Sequence, residues 1–193
     1  MSSAFRGFVS LVVLLSCAVS AMAERPEQWA VPLPGGESLP NLFKVDEGLY
    51  RGAQPRDGGF ERLRSMGLRT VVSFRTTSSD REVSARNGLA YVRLPTQPWD
   101  VNDEEVVEFL KIAASSEHRP VFAHCYHGSD RTGVMVAAYR VVVQDWSKND
   151  AIEEMVDGGY GFHSSFRNLV KYIEEMDAEA IAAAAGLAKK PRP

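Results

Sequence analysis

Cysteine is nearly absent from this chain, with two in 193 residues, Cys17 and Cys125. Two cannot build the disulfide framework that staples small secreted domains. A cation excess is also missing. Lys and Arg number 22 against 25 Asp and Glu, a formal net charge of −3, which excludes the basic footprint of a nucleic-acid binder. No apolar run reaches the roughly 20 residues that a membrane-spanning helix needs. The run from Phe8 to Val19 is broken by small polar residues. No internal repeat and no domain-sized linker divides the chain. A composition of 45% hydrophobic and 24% charged residues suits one globular domain.

The apolar run reads as a leader. Arg6 stands before it with no acid nearby, and Ala21-Met22-Ala23 follows as an A-x-A cleavage signal. These are the parts of a secretory signal peptide over 1–23, with the mature chain beginning at Glu24. The competing reading is a lipoprotein acylated at Cys17, against which Leu15 is bulkier than that signal usually allows. Export implies a periplasmic or secreted protein with no stable membrane insertion. Cleavage would also leave Cys125 as a lone thiol in an oxidising compartment. A lone thiol there calls for either burial in a core or chemistry.

Residues 24–40 are rich in Pro, Gly and polar side chains and read as a loose lead-in. The remainder divides into a domain over 41–180 and a flexible tail over 181–193. Phe43–Val45 and Leu49–Arg51 are strand candidates joined by the turn Asp46-Glu47-Gly48. A helix from Phe60 to Met66 stops at Gly67, and a β-branched strand runs from Thr70 to Phe74. A short helix ends at Gly88 and a strand covers Ala90–Leu94. Asn102 caps a helix from Asp103 to about Ser116, with acids in its first turn. Pro120–Ala123 reads as a buried strand and Arg131–Val143 as an apolar helix. Ser147 opens another helix, and a further one spans Phe166–Met176. This mixed order predicts an α/β sheet flanked by helices.

The chemistry concentrates where the Pro120 strand meets the Arg131 helix, in His124-Cys125-Tyr126-His127-Gly128-Ser129-Asp130-Arg131-Thr132-Gly133. A helix N-terminus presents unpaired N–H groups and partial positive charge, which together make an anion site. A cysteine in the same loop feels that field and is favoured as thiolate. Gly128 allows the loop to curl into a nest of inward N–H groups. Arg131 supplies a planar fork for two phosphate oxygens. Thr132 is placed to donate its hydroxyl to the Cys125 sulfur. Together these residues predict attack of a thiolate on phosphorus through a phosphocysteine, with no metal and no cofactor. Tyr126, His127, Gly128, Ser129, Asp130 and Arg131 form the substrate-binding loop, and His124 supports it. A zinc site from His124, Cys125 and His127 is the competing reading, but neighbours at a strand end point opposite ways. Arg51 and Arg75 end strands near the same edge of the sheet and are candidates for the mouth. Tyr160 and His163 read as locally packed.

Cys-x5-Arg with a preceding His and a following Thr-Gly resembles the signature of the protein tyrosine phosphatase superfamily. The Leu49–Pro55 segment, the Val71–Arg75 strand and Ala138–Ser147 look like the small bacterial dual-specificity-type phosphatases, including exported ones. The resemblance covers roughly Asn41 to Met176. It implies a central mixed sheet of four or five strands ringed by helices. It also implies a general acid upstream of the nucleophile, for which Asp100 is the candidate on its loop. Asp103, in the first turn of a helix, is the competitor and is already accounted for by the helix dipole. The implied substrate is a phosphoprotein carrying phosphotyrosine, with phosphoserine and phosphothreonine as further esters. The second enzyme reading is a small phosphorylated molecule such as an inositol phosphate. The negative charge of Asp130 beside the site argues against heavily anionic substrates.

Overall fold

The computed structural model describes residues 25–77 and 79–187. The leader read over 1–23, with Cys17, lies outside the described residues, as does the tail beyond Leu187. Six strands form one sheet: β1 (Val31–Pro32), β2 (Phe43–Asp46), β3 (Leu49–Gly52), β4 (Thr70–Ser73), β5 (Ala90–Arg93) and β6 (Val121–His124). Their order is β1-β2-β3-β6-β4-β5. The β1–β2 and β2–β3 pairs are antiparallel, and β3–β6, β6–β4 and β4–β5 are parallel. The sheet is therefore mixed, as expected.

Its sixth strand lies in the segment read as a loose lead-in. Val31 and Pro32 pair with Lys44 and Phe43. Proline is tolerated there because β1 is an edge strand. Ala30 and Leu39 are fully buried, so this segment packs on the domain instead of leading into it. Six strands thus replace the four or five implied by the resemblance.

Helices cover both faces of the sheet. Alternation along β6 assigns the sides, since successive side chains on a strand point to opposite faces. Phe122 faces a cluster with Leu63, Leu68, Val71 and Leu89, under α1 (Gly59–Ser65) and α2 (Arg81–Arg86). Val121 and Ala123 face the larger cluster under α3 (Asp103–Ala114), α4 (Asp130–Gln144), α5 (Lys148–Asp157), α6 (Arg167–Glu175) and α7 (Ala178–Ala184). α4 packs against α3, α5, α6 and α7, which explains why it is apolar around most of its circumference.

The helix caps follow the sequence. Asn102 accepts from the Glu105 N–H at 3.0 Å, and Ser147 accepts from the Asp150 N–H at 3.1 Å. Gly67 and Gly88 follow α1 and α2 with positive φ. The tail read as flexible from 181 is helical in its first residues. Asp177 accepts from the Glu179 and Ala180 N–H groups, and Ile181 and Ala185 are buried. Among the described residues, no helix is long and apolar enough to cross a membrane.

Candidate active site

β6 occupies the interior of the sheet, with all four residues buried. The loop 125–129 leaves its end and enters α4. A buried ion pair braces this region from behind. Arg140 grips Glu154 with two nitrogens, at 2.7 and 2.8 Å. Burial pushes the Glu154 carboxyl up, but Arg140 outweighs it and holds the group below its usual range. Tyr160 donates to Glu154 at 2.9 Å, and so does the Ala30 N–H at 2.6 Å. The lead-in, α4, α5 and the segment after α5 thus meet at one carboxylate.

Every carbonyl of the loop accepts a hydrogen bond from a group flanking it. His124 Nδ1 meets Cys125 O at 3.0 Å. The Gln54 N–H donates to Tyr126 O at 3.1 Å, and Asn41 Nδ2 to His127 O at 2.9 Å. Arg51 donates to Gly128 O at 2.8 Å and to Ser129 O at 3.5 Å. The Gly133 N–H also reaches Ser129 O, at 2.8 Å. In a trans peptide the N–H points opposite to the C=O. Fixing the carbonyls outward turns the following amide hydrogens inward, which is the geometry of an anion nest.

Cys125 is 2% exposed, and its Sγ accepts from the Gly128 N–H at 3.2 Å. The expected bond from Thr132 is not formed. Its Oγ1 is buried with no hydrogen-bond partner, and the backbone amide serves the sulfur in its place. Arg131 donates to Phe74 O at 3.2 Å, which turns its guanidinium toward the end of β4. His124 is fully buried, and burial lowers its pKa to about 4, with Arg75 and Arg131 adding to the effect. It is therefore neutral at pH 7, and Nδ1 carries the proton donated to Cys125 O. Its Nε2 lies 3.6 Å from Asp80 Oδ2, but a neutral imidazole makes no ion pair there. Burial raises the Asp80 carboxyl, against the opposing pull of Gln54 and Arg75.

A hollow of about 340 Å³ opens over the loop, lined by Pro98, Tyr126, His127, Asp130, Arg131, His163, Ser165 and Phe166. A larger one, about 700 Å³, lies between α5 and α6 around Ile152, Val156 and Phe162. It touches no residue of the 125–131 segment, whereas the smaller hollow is lined by Tyr126, His127, Asp130 and Arg131 beside the buried Cys125, so the smaller hollow is the candidate site. Tyr126 is 56% exposed and stands edge-on to His127 at 4.8 Å. Arg75 lies 5.4 Å over the Tyr126 ring and is held by Gln54 at 2.8 Å, so it flanks the mouth.

The remaining predicted residues divide. Ser129 turns its hydroxyl away to Tyr160 O at 2.7 Å, so its side chain does not face substrate. Asp130 lines the hollow, but both its oxygens are engaged. One accepts from the His163 N–H at 2.9 Å, and the other meets the His163 ring at 2.8 Å. The repulsive charge expected from Asp130 is thereby tied down, and His163 joins the site it was not expected to reach. Asp100 is exposed and lines a neighbouring depression with Trp99, Asn168 and Tyr172. Pro98 of the same loop reaches the hollow, and its carbonyl is held by Asn168 at 2.8 Å. Asp103 accepts from the Tyr172 hydroxyl at 2.8 Å, a contact joining α3 to α6. Arg51 lies beneath the loop, not at its mouth. Among the described residues, no group of three or more His, Cys, Asp or Glu could hold a metal ion, and His124 and His127 have the separate partners given above.

Comparisons with known proteins agree with this geometry. The sequence profile of a family described as DSP-PTPase phosphatase fused to NAD+ kinase matches residues 38–168. The dual specificity protein phosphatase TpbA of Pseudomonas aeruginosa is 34% identical over 165 residues, covering 85% of this chain and 74% of that protein. The crystal structure of P. aeruginosa TpbA superposes with a TM-score of 0.74, covering 84% of this chain and 99% of that one. A structure of a TpbA variant in complex with phosphotyrosine matches at the same TM-score, 33% identical over 84% of this chain and 98% of that one. An inositol diphosphatase of Arabidopsis thaliana is 28% identical over 122 residues, covering 59% of this chain and 60% of that protein. With its Cys125 loop built as a phosphate nest and its relatives matched over most of its length, this chain belongs to the dual-specificity-type phosphatases of the protein tyrosine phosphatase superfamily, hydrolases of phosphoric monoesters.

Proposed function

We propose that this phosphatase acts on phosphotyrosine in proteins, with phosphoserine and phosphothreonine as further substrates, after export to the periplasm and loss of the leader. The observation that carries the substrate reading is the lining of the hollow. Tyr126, His127, His163 and Phe166 offer aromatic faces beside Arg131, and no lysine lines it. An aryl phosphate suits such a wall; Arg131 is the one arginine lining it, with Arg75 flanking the mouth. The phosphotyrosine complex of the TpbA variant supports the same choice. Export rests on the sequence of the leader.

In the proposed reaction the Cys125 thiolate attacks phosphorus and forms an S–P bond while the ester P–O bond breaks. Arg131 and the inward amides hold the equatorial oxygens, whose charge grows in the transition state. Asp100 gives its proton to the departing phenolate oxygen. Its loop already borders the hollow through Pro98, and the proposed step requires the Asp100 carboxyl to swing from the neighbouring depression into the hollow when substrate binds. In the second step Asp100 takes a proton from water, the water oxygen attacks phosphorus, and the S–P bond breaks to release phosphate and restore the thiolate.

A kinetic panel tests this reading, comparing phosphotyrosine, phosphoserine and phosphothreonine peptides with inositol phosphates and diphosphates. The expected order places phosphotyrosine first in kcat/KM. An inositol ester preferred tenfold or more over every peptide would replace it with the second enzyme reading, toward which the Arabidopsis relative points. Periplasmic recovery of a chain with the mass of 24–193 tests export, and a lipid-bearing mass at Cys17 would overturn simple cleavage.

A further inference from the structure

Arg51 is 1% exposed, and among the described residues it makes no ion pair. Its Nε is buried with no hydrogen-bond partner. The oxygens of Glu154 are engaged by Arg140, the Ala30 N–H and the Tyr160 hydroxyl. What Arg51 has is the face of Tyr160, 3.6 Å from its Cζ, and two loop carbonyls. Burying a cation without a carboxylate partner is costly. Stacking on an aromatic face recovers part of that cost.

The position of Arg51 explains what the charge does. It sits on β3 opposite Ala123 of β6, two residues before the nucleophile. From there it reaches Gly128 O and Ser129 O on the reverse side of the loop. The planar trans peptide then aims the Ser129 and Asp130 amide hydrogens into the phosphate site. The same residue whose carbonyl it holds, Gly128, gives its own N–H to the Cys125 sulfur. We propose that Arg51 is a positioning residue: it pins two carbonyls of the phosphate-binding loop from behind and sets a buried positive charge against Gly128, the residue whose amide serves the Cys125 sulfur. Burial pulls the Arg51 guanidinium down from its ordinary pKa, with Tyr160, Glu154 and Cys125 opposing that pull.

The inference rests on Cys125 being the nucleophile, and the experiment separates the two. Arg51→Met and Arg51→Lys are made in the 24–193 chain and, separately, in a Cys125→Ser background. Melting temperature, kcat, KM and vanadate inhibition are measured in the first pair. Phosphotyrosine-peptide binding is measured by calorimetry in the second. The Met variant is expected to lose roughly 10²-fold in kcat, the scale of one oriented oxyanion donor, and to bind vanadate at least tenfold more weakly. In the Cys125→Ser background the same change is expected to weaken peptide binding, since the amides are misaimed even without the thiolate. Lys keeps the charge and loses the fork, so kcat is expected to recover to within about tenfold of the parent while vanadate binding stays weakened. A folded Met variant with kcat and vanadate inhibition within threefold of the parent makes Arg51 a packing residue and overturns the proposal. If Met prevents folding, the Lys variant decides, and undiminished vanadate affinity in it overturns the pinning. Turnover retained by Cys125→Ser alone would remove the nucleophile assignment on which the inference rests, an outcome visible before Arg51 is touched.

Discussion

The Gly128 amide hydrogen points at the Cys125 sulfur, with 3.2 Å between nitrogen and sulfur. That bond requires the loop to turn at Gly128, where φ is +75°. A Cβ there would also lie 2.4 Å from the Gly52 carbonyl carbon and oxygen and 2.6 Å from Ala53 N. These are backbone atoms at the end of β3 and cannot move aside singly.

Gly128→Ala is therefore expected to cost roughly 2–4 kcal/mol, from the left-handed backbone and the clash together. Turnover should fall further than stability predicts, because the sulfur loses its amide donor as the loop shifts. Urea unfolding and kcat measured on the same preparation check both. A variant within 1 kcal/mol of the parent and fully active would show that the loop accommodates a side chain without moving.

Cys125→Ser is expected to abolish turnover, since an alcohol at neutral pH is a far weaker nucleophile than a thiolate. Binding of phosphotyrosine peptide should survive, because the inward amides and Arg131 remain. Chelators should leave the parent enzyme unaffected and vanadate should inhibit it. Retention of a tenth of parental activity would falsify the cysteine mechanism.

Asp100 and Asp103 are separated by leaving-group dependence. Phenolate, with a pKa of about 10, needs a proton on departure, and p-nitrophenolate needs one less. Asp100→Asn is expected to slow phenyl phosphate hydrolysis by roughly 10²-fold or more, with a smaller loss on p-nitrophenyl phosphate. Asp103 accepts from the Tyr172 hydroxyl, and burial followed by that bond raises the Tyr172 pKa. Asp103→Asn should therefore lower the melting temperature and leave the leaving-group slope unchanged. A steep slope in the Asp103 variant alone reverses the assignment.

His124 gives the fold a pH dependence of defined sign. Its pKa is lowered from 6.5 to about 4, so the unfolded chain takes up this proton first as pH falls. The stability tied to neutral His124 is complete above pH 6.5 and is lost between there and about pH 4. At about 1.4 kcal/mol per unit, roughly 2–3 kcal/mol should disappear between pH 7 and pH 4.5. His124→Asn keeps a donor for Cys125 O and removes this titrating group, so its stability should fall less than the parent's over this window, by roughly the same 2–3 kcal/mol. Equal slopes for the two proteins would place the acid sensitivity elsewhere.

The nucleophile loop was legible because its chemistry is local. A strand, a turn with glycine and a helix start follow one another within ten residues, and the anion site is a property of that junction alone. The sheet was legible wherever strands carried β-branched runs, as at Thr70–Ser73. β1 was not, because two residues, one of them proline, carry no periodic signal, and pairing with β2 alone makes them a strand. Arg51 was misplaced for a related reason. An arginine in a strand reads as a rim residue, and only the Tyr160 ring, more than a hundred positions later, turns it inward. Asp130 read as a charge facing substrate, and His163, 33 positions along, decides otherwise. Thr132 read as the donor to sulfur, a bond whose geometry depends on the curl of a loop whose carbonyls are held from three other segments.

The contacts of Arg25 have a practical consequence for engineering. Its guanidinium closes on Ala30 O, Gly158 O and the Tyr160 hydroxyl, and Tyr160 is the ring on which Arg51 rests. A bulky fusion partner joined directly ahead of Arg25 would lever on the support of the catalytic loop. Affinity handles and immobilisation points belong at the other end of the chain, after α7.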